Sequence, residues 1–173
     1  MRGRDWLESV TPELGWHEVL DAIREEFGRG AVGFLADALG VTDRTARRYY
    51  SGEIAEPSRH REQLAGVIKR AERRAAADLL RQVDTLDPGT IKVKTKSGKD
   101  KQGSRDPGEL TDMAAGMQRV ADLWERGADD RAEEALSDAV IARYFQEDSD
   151  DRHGGAALLE ISDYTHINSP DID

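Results

Sequence analysis

The chain has 173 residues and a formal net charge of −10, with 38% hydrophobic and 35% charged residues. This composition is typical of a polar protein that can still bury a hydrophobic core. The length allows one domain of ordinary size or two small domains. Cysteine is absent, which excludes disulfide scaffolds, cysteine-ligated zinc and thiol catalysis. No apolar run approaches the roughly 18 residues of a membrane span, and the first residues form no apolar leader segment. We therefore expect a cytoplasmic protein without membrane contact.

The charge is unevenly distributed along the chain. Residues 1–39 carry a net charge of −4, residues 40–105 carry +7 and residues 106–173 carry −13. A basic centre between acidic flanks is typical of a surface that faces phosphate groups, while acidic flanks limit non-specific adhesion. The alternative is a set of solvated helices whose charge varies in sign along the chain. Charge alone does not decide between the two interpretations.

Helical spacing of apolar residues predicts four helices in the first half of the chain. Their predicted ranges are 16–27, 32–39, 43–51 and 58–83. Gly28 and Gly40 are the stop signals of the first two, and Thr42 and Ser58 are the N-cap candidates of the last two.

A different pattern follows residue 89. Ile91 and Val93 alternate with lysines, which predicts a half-buried strand over 90–95 with one basic face. The remaining predictions are a loop over 97–105, a helix over 106–127, a helix from 129, a loop over 147–155 and a strand over 157–168. The first of these helices is predicted from Asp106 as N-cap and Pro107 at its first position.

Residues 34–52 contain a motif whose parts each have a physical role. Ala36 is small where two helices would cross, Gly40 permits a sharp turn, and Thr42 can cap the second helix. This segment resembles the helix-turn-helix of lambda-repressor-like DNA-binding proteins, in which the second helix enters the major groove. The alternative is a structural three-helix unit with the same packing and no DNA contact.

The second helix of this motif carries several arginines. Arginine can donate two hydrogen bonds to O6 and N7 of guanine, and other arginines can bind phosphates. We predict that Arg44 and Arg47 contact base edges. The backbone contacts are assigned to Thr42, Arg48 and either Arg59 or Arg61. The complete predicted set on and beside this helix is Thr42, Asp43, Arg44, Thr45, Arg47, Arg48, Arg59 and Arg61.

The lysines of the predicted basic strand are a second candidate contact. Lys92, Lys94 and Lys96 precede further lysines in the following segment, so they could extend a phosphate-binding surface. The alternative is an edge strand that lysines protect from aggregation.

Motifs typical of enzymes are missing from the sequence. There is no phosphate-binding loop that ends in Lys-Ser/Thr, no His-Glu-x-x-His motif and no nucleophile elbow. The acidic run 147–151 lacks the spacing of a calcium loop, so a solvated linker is the expected interpretation. We therefore expect no catalytic residue, no metal site, no cofactor and no enzymatic activity.

The predicted fold is mainly α. Residues 1–86 are expected to form a helical helix-turn-helix domain with a long connecting helix. Residues 87–173 are expected to form a small α+β domain of strand–helix–helix–strand order that mediates dimerisation or binds a partner protein.

The layout also carries a family resemblance. After the helix-turn-helix and the lysine-containing strand come Gly127-Ala128-Asp129, Tyr144-Phe145, a glycine pair and an Asp163-Tyr164 step. This order is similar to that of the telomere terminal proteins of actinobacterial linear chromosomes and plasmids. The resemblance implies a protein that is linked through a side-chain hydroxyl to the 5′ end of DNA and that primes repair of recessed ends.

The hydroxyl candidates lie in and after the lysine-rich segment. They are Thr95, Ser104 and Thr111. A phosphate-reactive hydroxyl needs nearby cations, yet acidic Asp106 and Asp112 occur here where the family has a basic approach. This departure favours DNA docking over covalent priming.

The main hypothesis is a dimeric, sequence-specific binder of double-stranded DNA that regulates a plasmid, phage or chromosomal locus and associates with the nucleoid. One alternative is a terminal-protein-like factor for replication or maintenance of linear replicon ends. Another is an assembly module in which the helix-turn-helix positions a larger complex.

Overall fold

The computed structural model describes residues 2–95, 101–147, 159–164 and 167, with the backbone alone at 94–95, 101–103, 145–147 and 159–160. Within these ranges the protein is mainly α with a small three-stranded antiparallel sheet, which confirms the predicted fold class. The helices are α1 (Gly3–Ser9), α2 (Trp16–Phe27), α3 (Ala31–Leu39), α4 (Asp43–Tyr50), α5 (His60–Gln63), α6 (Ala65–Leu80), α7 (Ala114–Glu125) and α8 (Asp129–Glu147). The strands are β1 (Ile91–Thr95), β2 (Lys101–Arg105) and β3 (Leu159–Tyr164). No helix in the described ranges is long and apolar enough to cross a membrane.

The chain forms two compact units. One, here the helical unit, consists of residues 12–74, and the other, here the mixed unit, consists of residues 1–11 and 75–173. This division differs from the predicted boundary between 86 and 87. Trp6 and Leu7 of α1 lie in one buried cluster with Leu80, Ile91 and Leu136, so the first residues pack with the C-terminal part of the chain.

In the helical unit, the helices predicted at the start of the chain are confirmed. On α2, Val19, Leu20 and Ile23 are buried on one face, as their spacing predicts. Phe27 ends this helix and its ring stacks on that of Phe34 in α3, with 3.9 Å between centroids. The predicted bounds of α2, α3 and α4 agree with the structure to within one residue.

The predicted long helix over 58–83 is wrong in three respects. Its first turn is a separate helix, α5, and Ser58 is not its N-cap. In addition, α6 ends at Leu80 rather than at Val83. Leu64 interrupts the helical backbone between α5 and α6 at φ −106° and ψ 11°, while its side chain is buried. Apolar spacing continues through this residue, so the pattern gives no sign of the break.

In the mixed unit, β1 lies in the middle of the sheet, in the order β2–β1–β3. Ile91 and Val93 are buried and Lys92 is exposed, which confirms the predicted half-buried strand. The interpretation of β1 as a protected edge strand is wrong, because both of its edges are paired. The predicted loop over 97–105 is also wrong in part, since residues 101–105 form β2; residues 96–100 lie outside the described residues.

The helix predicted from Asp106 begins eight residues later, at Ala114. Leu86 and Leu110 exchange backbone hydrogen bonds of 2.9 and 2.8 Å, which hold this segment extended. Asp106 accepts a hydrogen bond from the backbone of Gly108 at 3.3 Å and forms a turn rather than a helix cap. The helix-cap signal at Asp106 is therefore overridden by the pairing of Leu110 with Leu86, a residue that is distant in the sequence.

The helices of the mixed unit pack closely. A Cβ added at Gly116 of α7 would lie 2.6 Å from the Cβ of Ala139 in α8, so the glycine is required by the close approach of these two helices. Ser137 of α8 accepts a hydrogen bond from the backbone N–H of Ile161 in β3 at 2.8 Å. This bond attaches the third strand to the helical layer.

Two predicted elements near the C-terminus fall partly outside the described residues. The strand predicted over 157–168 is confirmed at Leu159–Tyr164, and residues 157–158, 165–166 and 168 lie outside the described residues. Of the predicted loop over 147–155, residue 147 is the last residue of α8, and the others are outside the described ranges.

Candidate nucleic-acid interface

The turn between α3 and α4 has the geometry that the motif predicts. Gly40 adopts a left-handed conformation at φ 65°, which disfavours any residue with a side chain. The backbone N–H of Val41 donates to the carbonyl of Ala36 at 2.9 Å, and that of Gly40 donates to Asp37 at 3.3 Å. These bonds close α3 and redirect the chain into α4.

The inner faces of the two helices are packed together. Leu35, Ala36 and Leu39 of α3 are buried, and Ala46 of α4 is fully buried. Ala36 and Ala46 therefore place small side chains within the buried face of the motif. Val41 and Tyr49 are only half-buried, so the buried face of the motif is formed mainly by these four residues.

An aromatic cluster supports α4 from within the helical unit. The ring of Trp16 in α2 meets that of Tyr49 in α4 edge-on at 5.7 Å, and meets that of His60 in α5 at 4.9 Å. Nδ1 of the buried His60 lies 2.9 Å from a carboxylate oxygen of Glu56 and 3.0 Å from the carbonyl of Pro57. These contacts join three helices and fix the orientation of α4. The sequence did not predict this cluster, because its members lie far apart along the chain.

The N-terminus of α4 is capped as predicted. The hydroxyl of Thr42 accepts a hydrogen bond from the backbone N–H of Thr45 at 3.2 Å, and the two hydroxyl oxygens lie 3.1 Å apart. Asp43 occupies the first turn, where a negative charge interacts favourably with the helix dipole. Both Thr42 and Asp43 are exposed and Thr45 is half-buried, so the capped end of α4 is open to solvent.

The outer face of α4 is basic. Arg44, Arg47 and Arg48 are exposed, and with Ser51 they line a shallow concavity of about 770 Å³. The side chains of Arg44 and Arg47 have no ion-pair or hydrogen-bond partner among the residues that the structure describes. An α-helix with its side chains is about 10–12 Å across, which matches the roughly 12 Å width of the major groove of B-DNA.

Arg48 differs from its two neighbours because a carboxylate holds it. Its Nε donates to Glu53 at 3.1 Å. The hydroxyl of Ser51 donates to the other carboxylate oxygen of Glu53 at 3.1 Å. Glu53 is not among the residues predicted from the sequence, although its position just after Gly52, where the chain turns back from α4, is a signal for this contact.

The two other predicted arginines of the helical unit have unlike surroundings. Arg59 is exposed and has no ion pair within the described ranges. Arg61 donates to the carbonyl of Leu14 at 2.6 Å and forms ion pairs with Glu13 at 3.0 Å and Glu72 at 3.6 Å. Arg59 is therefore available for a phosphate, whereas Arg61 joins segments of its own unit.

The predicted lysine contacts belong to the mixed unit. Nζ of Lys92 lies 3.3 Å from a carboxylate oxygen of Asp163 on β3. The backbone of Lys94 lies in β1 opposite that of Lys101, and Lys96 lies outside the described residues. The structure thus gives Lys92 a partner on the neighbouring strand.

No cluster of three or more potential metal ligands occurs among the side chains that the structure describes. The chain matches no family model, no curated protein and no solved structure.

Proposed function

We propose that this protein binds double-stranded DNA in a sequence-specific manner through the α3–turn–α4 motif. The observation that carries the proposal is the pair Arg44 and Arg47 on an exposed, rigidly supported helix, with no partner among the described side chains. Unpaired guanidinium groups can bind the O6 and N7 atoms of guanine without first breaking an internal ion pair. The resulting activity is regulation of a genetic locus, and we expect association with the nucleoid.

Sequence-specific binding by such a motif is usually symmetric, because a two-fold dimer reads two half-sites about one helical turn apart. We therefore propose a homodimer that recognises a pseudo-palindromic site. The acidic part of the chain, residues 106–173, remains the candidate surface for a protein partner.

The test is selection from a randomised duplex library with the wild-type protein, followed by affinity measurements on the selected duplex. Replacement of both Arg44 and Arg47 by alanine is expected to weaken specific binding by about 30-fold or more, since each bidentate contact contributes about 1–3 kcal/mol. The matched control replaces Arg119 and Arg126, both exposed in the mixed unit, and removes the same charge. Equal weakening by both double substitutions would contradict base reading by α4.

The terminal-protein alternative shares this interface and adds a covalent bond between a hydroxyl and DNA. Thr111 is exposed, but it lies in the irregular segment before α7 rather than on a helix. Its hydroxyl accepts a hydrogen bond from Arg143 at 3.3 Å, and Arg143 also binds Asp112 at 2.8 Å. The cation beside Thr111 is therefore already neutralised, which favours reversible binding. Mass measurement of protein isolated from its host would show a nucleotide adduct if the alternative held.

A further inference from the structure

The contact between Arg48 and Glu53 lies on the surface that we propose for DNA. Both residues line the concavity formed with Arg44, Arg47 and Ser51. Gly52 at φ 73° turns the chain after α4, and the N–H of Glu53 donates to the carbonyl of Arg48 at 3.0 Å. One backbone hydrogen bond and one side-chain hydrogen bond thus join Glu53 to Arg48, and together they fix the carboxylate of Glu53 beside the guanidinium of Arg48.

This arrangement is unfavourable for a phosphate contact. A phosphate bound by Arg48 would lie close to the negative charge of Glu53, and like charges repel. A neutralised arginine also contributes little to counterion release, which is the main source of affinity for the DNA backbone.

The same arrangement is favourable for a base contact. Glu53 occupies Nε of Arg48, and the two terminal amino groups have no hydrogen-bond partner among the described residues. These groups can donate to O6 and N7 of guanine. A carboxylate that fixes the side chain lowers the conformational entropy lost on binding. A guanine edge carries no formal charge, so Glu53 repels it far less than a phosphate.

We propose that Arg48 reads a guanine in the major groove and that Glu53 is the positioning residue that orients it. This inference rests on the proposed function and replaces the predicted phosphate contact of Arg48 by a base contact.

The first measurement compares wild type with Arg48→Ala on the selected duplex, on duplexes that vary one base pair at a time, and across a salt series. We expect a loss of preference of about 5- to 100-fold at one G·C pair and an unchanged salt dependence. Uniform weakening of all duplexes, with the slope of log K against log salt reduced by about 0.9, would show a phosphate contact and overturn the inference.

The second measurement tests Glu53. Glu53→Gln removes the charge, and Glu53→Asp keeps the charge on a shorter side chain. Both are expected to relax preference at the same base pair as Arg48→Ala, and Glu53→Gln is also expected to bind a scrambled duplex more tightly. The double variant Arg48→Ala/Glu53→Gln should show no further loss of preference, because Glu53 acts through Arg48.

The matched control is Glu62→Gln, at an exposed glutamate of α5 that has no partner within the described ranges. It removes the same charge and should leave base preference unchanged. Thermal unfolding of each variant checks that the fold is retained. If wild type enriches no sequence, the proposed function and this inference both fail. If wild type enriches a site and the Glu53 variants keep its full base preference, only the inference fails.

Discussion

In the mixed unit, arginines connect helices by binding carboxylates. Arg81 donates to Asp122 at 2.9 Å and to Glu125 at 2.6 Å. The hydrogen bond to Asp122, followed by the one to Glu125, raises the pKa of Arg81 above its ordinary value. In the helical unit, Arg44 and Arg47 of α4 have no such partner among the described side chains. Elsewhere in the helical unit, Arg61 and Arg70 also bind carboxylates. The outer face of α4, rather than the unit as a whole, is therefore where arginines remain available for a ligand.

The net charge of a segment therefore does not predict where a binding surface lies. The +7 segment contains the available arginines of α4, but it also contains Arg61 and Lys92, whose charges are compensated within their own units. The availability of a cation depends on where its nearest carboxylate lies.

The largest expected difference between the two units concerns two glycines, each the third residue of its helix. Gly116→Ala in α7 would place a Cβ 2.6 Å from that of Ala139, and overpacking of this kind costs about 1–3 kcal/mol. Gly33→Ala in α3 meets nothing within 4 Å, so it should raise stability by about 0.4–1 kcal/mol through the unfolded state. Urea unfolding of both variants measures these changes. A stabilising effect of Gly116→Ala would contradict the close α7–α8 approach.

The stability of the two units should depend differently on alkaline pH, because each unit contains a tyrosine whose pKa is raised by burial. Burial, aided by Glu133, raises the pKa of Tyr164 in the mixed unit. The folded protein then keeps a proton that the unfolded chain loses near pH 10, so stability is retained below that pH and decreases above it. The stability lost through this group at pH 11 is of the order of 1 kcal/mol, and Tyr164→Phe should remove that loss.

Tyr50 in the helical unit provides the comparison for this measurement. Burial also raises its pKa, but the nearby Arg24, 4.4 Å from the ring centroid, opposes the shift. Tyr50→Phe should therefore change the loss of folding stability at alkaline pH less than Tyr164→Phe does. The free energy of unfolding at pH 8 and pH 11 tests both variants, and a larger effect of Tyr50→Phe would overturn the expected order.

The smallest expected effect concerns the salt dependence of DNA binding. Arg59→Ala should reduce the slope of log K against log salt by about 0.9, because one phosphate contact is lost. Lys92→Ala should leave the slope unchanged, since Asp163 already compensates Lys92. A reduced slope for Lys92→Ala would place the mixed unit on DNA as well and would remove the contrast between the units.

The helix-turn-helix segment could be predicted almost completely from the sequence. Gly40 and Thr42 act on their immediate neighbours, so the bounds of α3 and α4 follow from local conformational preferences. The start of α7 could not be predicted, because Leu110 pairs with Leu86 and this pairing keeps the segment before Ala114 out of the helix. Likewise α1 has no counterpart among the predicted elements, since seven residues carry too few apolar positions to show a period.

By itself, the sequence determined the fold class, the turn between α3 and α4, the capped start of α4 and the position of arginines on its outer face. These features depend on residues within a few positions of one another. Tertiary structure decided which unit the first eleven residues join, that β1 is central, and which cations are compensated. Such features depend on residues that are distant in the chain, as when Arg61 meets Glu13 and Lys92 meets Asp163.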